Sequence, residues 1–174
     1  MDYCASGATT CNDSAYADSI RAMKDNSSLL FAEETFAINR CIYDVFDSLP
    51  RFAEESLYQE ALEIALSDAG IPFVAQKLIS PVFHGRTLAH TYRPDIICYD
   101  KIVVELKAVR RLAPEHFAQL RNYLGLLGMR VGLLVNFHGH PNVEIRRVFL
   151  NGKNDAGVVE DIATGETAPI KLHS

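Results

Sequence analysis

Three residues in the middle of the chain have the types and spacing for joint chemistry. Pro94-Asp95 is followed, after nine residues, by Glu105-Leu106-Lys107. If Asp95 and Glu105 lie on neighbouring strands joined by a turn at Asp100-Lys101, their carboxylates can converge on one hard cation such as Mg²⁺ or Mn²⁺. Strand alternation then puts Glu105 and Lys107 on one face and Leu106 on the other. A lysine there can orient or deprotonate an attacking water, or steady charge growing on a phosphoryl group. The competing reading is a plain Glu105–Lys107 ion pair on a solvated strand. Against it stand Val103, Val104, Leu106 and Val109, which make this run the apolar centre of the chain, where unpaired charges are expensive.

A second set follows. His116, Gln119 and Tyr123 fall at i, i+3 and i+7, so a helix would present them together. They could border the same site or simply form a half-buried helix edge. Glu55 sits in a helix's first turn, a place that the helix dipole alone explains. His84, His90, His138 and His140 lie in or near turns without paired spacing for zinc. Arg110-Arg111 and Arg146-Arg147 are candidate phosphate contacts or ordinary surface.

The elements that must position these residues are legible from periodicity. Phe36, Ile38, Ile42, Val45 and Phe46 recur at helical spacing, predicting a helix over Glu33 to Ser48 that Pro50 stops. A second is expected from about Glu54 to Ala69, ended by Gly70. The period then switches, predicting extended segments over 73–83 and 87–98 joined at His84-Gly85-Arg86, then a central strand over 102–109. Pro114 opens a third helix running to about Leu127. Strands over 130–137 and 143–150 flank a His138-Gly139-His140-Pro141 turn. The expected fold is α/β (α+β), a mixed central sheet flanked by helices. Residues 1–28, rich in Ser, Asn, Asp and Thr, read as a flexible extension, 29–150 as the domain, and 151–174 as a tail or marginal hairpin.

Composition narrows the field. With 48% hydrophobic and 22% charged residues the chain reads as an ordinary globular domain, and a net charge of −5 argues against a broadly basic nucleic-acid coat. A divalent ion in an acid-lined site can supply the missing positive charge locally. Cys4, Cys11, Cys41 and Cys98 form no CxxC pair, and the start shows no basic region followed by an apolar one. The expectation is a cytoplasmic, soluble chain with no membrane contact.

Together these segments resemble the GxxExxY family, placed in the PD-(D/E)XK nuclease superfamily. The likeness rests on Glu55-Ser56-Leu57-Tyr58-Gln59-Glu60-Ala61-Leu62, Gly70-Ile71-Pro72-Phe73, Tyr92-Arg93-Pro94-Asp95, Val104-Glu105-Leu106-Lys107-Ala108, Gln119-Leu120-Arg121-Asn122-Tyr123-Leu124 and Gly132-Leu133-Leu134-Val135-Asn136-Phe137. The resemblance implies a restriction-endonuclease-like core. It implies a metal held by Asp95, Glu105 and the Leu106 carbonyl with Glu55 in support, a catalytic Lys107, and Gln119 and Tyr123 as an accessory motif like the QxxxY element of RecB-like nucleases. The family's glycine falls here at Phe52, a departure. The implied activity is metal-dependent hydrolysis of nucleic acid, DNA in the first instance, with a homodimer possible. The rival reading is a silent nuclease fold kept for binding nucleic acid or protein.

Overall fold

The computed structural model describes residues 30–150, 158–164 and 166–169; the expected N-terminal extension lies outside them. Helix α1 (Ala32–Ser48) buries Ile38, Ile42, Val45 and Phe46, the stripe that helical spacing predicts. Helix α2 (Glu55–Asp68) buries Tyr58, Leu62 and Leu66 and gives way to Gly70 at φ 67. Helix α3 (Pro114–Leu127) begins on its proline and closes on Gly128, also at φ 67, where a side chain would be strained.

The strands are β1 (Phe73–Ala75), β2 (Val82–Phe83), β3 (Arg86–Thr87), β4 (Ile96–Cys98), β5 (Ile102–Lys107), β6 (Val131–Asn136), β7 (Glu144–Phe149), β8 (Val158–Asp161) and β9 (Thr167–Pro169). Seven of them make one mixed sheet in the order β1-β4-β5-β6-β7-β8-β9. Among the described residues only β5 and β6 pair in parallel, and α3 is the crossover between them. The β8–β9 hairpin pairs onto β7, so the sheet continues past residue 150.

The two long extended segments expected before β5 are broken. Gln76 takes a left-handed conformation, φ 50, which ends β1 after three residues. Pro81 and Pro94 have no N–H to donate to a ladder. Between Gln76 and Asp95 the chain makes a separate excursion whose end is the small β2–β3 hairpin, turned by His84 and Gly85 with positive φ. Its two legs are tied by the Ile79–Tyr92 bridge and by the Gln76 N–H donating to the Asp95 carbonyl at 2.8 Å.

Every residue of β5 and β6 is buried. Alternation divides them between two cores. Val104, Leu106, Leu133 and Val135 pack under α1 and α2, whereas Val103, Leu134 and Val148 pack under α3 with Leu120 and Leu124. Each fully buried Leu or Ile contributes about 1.5–3 kcal/mol. On the α3 face, Gly132 lets the helix close in, because a Cβ there would stand 2.8 Å from the Leu120 side chain.

One ionic group is buried in the α1/α2 core. Arg147, 1% exposed, meets Glu160 at 3.3 Å, donates to the Leu30 carbonyl and lies 4.0 Å over the Phe149 ring.

Candidate metal centre

The turn after β4 is built by Tyr99 and Asp100, both with positive φ, and it pairs Ile96 with Val104. That register carries Asp95, one residue before β4, to a position opposite Glu105. The Asp95 carboxylate then takes the place of a ladder partner: its Oδ2 accepts the Leu106 N–H at 2.8 Å. The N–H and C=O of one strand residue point to the same edge, so the Leu106 carbonyl is also directed toward Asp95. Asp95 Oδ1 accepts from Gln76 Nε2 at 3.0 Å, and the same amide nitrogen donates to Gln59 Oε1 at 3.0 Å. The kink at Gln76 thus serves Asp95 twice, through backbone and side chain.

Glu105 and Lys107 share the α3 face, and Leu106 lies in the opposite core. Lys107 Nζ donates to Glu105 Oε1 at 2.7 Å, and Glu105 is 2% exposed. Glu105 Oε2 is buried without a hydrogen-bond partner. Burial first, and the charge of Asp95 second, push the Glu105 pKa up to about 7, although Lys107 acts against both. Burial also raises Asp95, partly offset by the Leu106 N–H. Burial alone would lower Lys107, but Glu105, Glu55 and Asp95 outweigh it and hold the ammonium above its usual value.

Glu55 opens α2, and its Oε2 accepts the Ala108 N–H at 3.2 Å, just beyond the end of β5. It therefore stands by Lys107. Among the described residues no group of three or more His, Cys, Asp or Glu side chains is close enough to hold an ion. A cation here would be held by two carboxylates and the Leu106 carbonyl. That donor set suits a hard divalent ion, and the bare, buried Oε2 of Glu105 is the atom such an ion would satisfy.

A match to the family model of the PD-(D/E)XK nuclease superfamily covers residues 32–148, most of the chain. The chain belongs to the PD-(D/E)XK nuclease superfamily. Comparisons with curated proteins and with solved structures found no match. Members of this superfamily generally use divalent metal ions, in keeping with the donor set above, and the mixed sheet with helices on both faces is the restriction-endonuclease-like core that goes with it.

The accessory residues divide. Tyr123 is buried on the α3 face, where burial raises its pKa, the bond that Gln119 Nε2 donates to its oxygen at 3.0 Å acts the other way, and the charges of Glu105 and Asp95 reach it. His116 is used differently: its Nδ1 accepts the Ala113 N–H at 3.1 Å, closing the start of α3.

Sequence reasoning missed three polar residues. Gln76 holds Asp95 and Gln59 holds Gln76, as described. Asn136, fully buried and in register with Lys107, accepts the N–H groups of Val109 and His138 on Oδ1, fixing the chain as it leaves β5 and β6. The one available signal was an amide at the end of an apolar strand, a costly place for an unpaired polar group.

Proposed function

We propose that the chain is a divalent-metal-dependent phosphodiesterase acting on nucleic acid, with DNA as the first substrate to try. The observation that carries this is the buried Oε2 of Glu105, without a hydrogen-bond partner, opposite Asp95, whose own carboxylate takes the Leu106 N–H. When bound, Mg²⁺ or Mn²⁺ would supply a Lewis acid for the phosphoryl oxygen and a lowered pKa for water. The residues do the rest. Asp95 is held in place by Gln76 and Leu106 before any ligand arrives. Lys107 keeps its proton, so it serves as a fixed cation that steadies phosphoryl charge and orients water, not as a resting general base. Glu55 holds the end of β5 and shares the Lys107 field. Gln119 and Tyr123 face the same side of the sheet and suit a phosphate or a base edge.

Within the superfamily, the GxxExxY assignment is supported by two features. Glu55 and Tyr58 pin α2 to the sheet end, Tyr58 by stacking on Phe137 at 4.3 Å, and the Tyr58 hydroxyl also donates to the Pro50 carbonyl of the connection before α2 at 3.0 Å. Phe52, at the family's glycine position, takes φ 66, the left-handed backbone that glycine favours.

The test pairs Mn²⁺ calorimetry with cleavage of labelled DNA and RNA. Glu105→Ala should lose ion binding and cleavage together. Wild-type protein that binds no divalent ion and cuts no nucleic acid would overturn the reading in favour of a silent binding module.

A further inference from the structure

The excursion between Gln76 and Asp95 is the least globular part of the described chain. Almost every residue from 77 to 93 is exposed except Ile79, Pro81 and Tyr92. At its end Val82 and Phe83 are 66% and 63% exposed, and Leu78 and Leu88 are open as well. Large apolar side chains are seldom displayed together on a projecting hairpin without a partner. The same stretch carries Lys77, Arg86 and Arg93, with His84 and His90, and not one Asp or Glu, in a chain whose net charge is −5. None of the three cations pairs with an acid among the described residues.

The root of this arm is the metal centre itself. Gln76 and Asp95 are its two ends, bonded backbone to backbone and side chain to side chain. Tyr92, on its returning leg, meets Tyr123 of α3 edge to face at 6.2 Å, and His90 meets Tyr92 at 4.7 Å. Acids, accessory helix face and arm therefore meet at one place.

We propose that this arm is the nucleic-acid-holding element of the site, with Lys77, Arg86 and Arg93 on backbone phosphates and Phe83 against base faces. The inference rests on the phosphodiesterase reading and deepens it. A polyanion that must present one phosphate at Asp95 and Glu105 runs past the arm's root, where cations not engaged in ion pairs lower its energy. A two-stranded ribbon is also narrow enough for a DNA groove. An exposed aromatic ring at the tip offers the stacking surface that bases use, or an apolar wedge between base steps.

The experiment measures binding of fluorescent single- and double-stranded DNA to the full chain across a salt series, with Ca²⁺ in place of Mg²⁺ to slow cleavage. Replacing Lys77, Arg86 and Arg93 with Ala should flatten the plot of log affinity against log salt by about 0.9 per lost cation on duplex, or about 0.7 on single strands. Phe83→Ala should weaken binding roughly 5- to 150-fold with little change in that slope. Both variants should keep the Mn²⁺ binding of wild type. If wild type binds DNA and the arm variants match it in affinity and slope, the arm assignment fails while the enzyme reading stands. If Phe83→Ala instead changes only the sedimentation behaviour, the arm is a self-association surface and the proposal is overturned. Wild-type protein that takes up Mn²⁺ but no nucleic acid would sink the phosphodiesterase reading and the arm with it.

Discussion

On the α1/α2 face of the sheet Arg147 meets Glu160 at 3.3 Å; on the α3 face Lys107 meets Glu105 at 2.7 Å, and both pairs are shielded from water. Arg147 reaches across the chain. It gathers β8 through Glu160, the approach to α1 through the Leu30 carbonyl, and β7's own Phe149 ring. Lys107 and Glu105 are two residues apart on one strand and join nothing that the backbone has not already joined. Each pair leaves an atom without a partner: Nε of Arg147, a donor, and Oε2 of Glu105, an acceptor. A cation can satisfy only the second. The first pair belongs to the fold and, on the proposed function, the second to the chemistry; what separates them is how far each reaches and which sign its unpaired atom carries.

Substituting one member of each pair with methionine tests that division. Lys107→Met should lower cleavage by about 10²- to 10³-fold while Mn²⁺ binding is kept, and should cost less stability than the arginine change, because Glu105, already raised to about 7, takes up a proton once the ammonium is gone. Arg147→Met should show the reverse, losing about 3–5 kcal/mol of stability because Glu160 is left buried without its partner. Denaturant unfolding and a cleavage assay on both variants are enough. Equal stability losses would erase the distinction.

A smaller effect is expected one shell out from the acids. Gln76→Ala frees Asp95 Oδ1 without touching a candidate ligand, and should weaken Mn²⁺ binding roughly 10- to 100-fold, the usual scale for groups that orient ligands. Calorimetry checks it. A variant with a changed melting temperature but wild-type ion affinity would make Gln76 part of the scaffold only.

The smallest effect is graded with pH. Glu105 titrates at about 7, so below that pH an incoming cation must displace its proton. Mn²⁺ affinity should rise up to about tenfold per pH unit toward 7 and level off above it. The metal-free protein should move the other way. A carboxyl whose folded pKa lies above its unfolded value of 4.5 adds stability that is complete below that value and lost as pH rises through about 7. Opposite slopes for ion binding and for metal-free stability would tie both to Glu105. Parallel slopes would assign them to some other group.

Much of this arrangement could be read from residue order. β5 announces itself as a buried strand, its two charges are conspicuous in that setting, and a turn one residue earlier than Asp100-Lys101, at Tyr99-Asp100, brings Asp95 across from Glu105. Gln76 was invisible for a physical reason. Its role depends on a left-handed kink, and its partner lies 19 residues away on the far side of an excursion. Helical spacing put His116 with Gln119 and Tyr123, but spacing does not reveal that the first turn of α3 needs an acceptor for the Ala113 N–H. The segment after residue 150 read as a tail or a marginal hairpin, and β8 and β9 do form a hairpin; residue order did not reveal that it joins the main sheet, where Glu160 meets Arg147 of β7.

The bonds between Gln76 and Asp95 also have a consequence for how such a chain can change. They close the excursion at its base, so its two ends stay together whatever lies between them. Closing a longer loop costs only about 0.6 kcal/mol for each doubling of its length. Residues 77 to 93 can therefore be lengthened, shortened or exchanged while Asp95 keeps its place opposite Glu105. Asp95, the proposed metal ligand, is thereby insulated from the most exposed stretch of the described chain, and the proposed nucleic-acid arm can be rebuilt by insertion without moving that carboxylate.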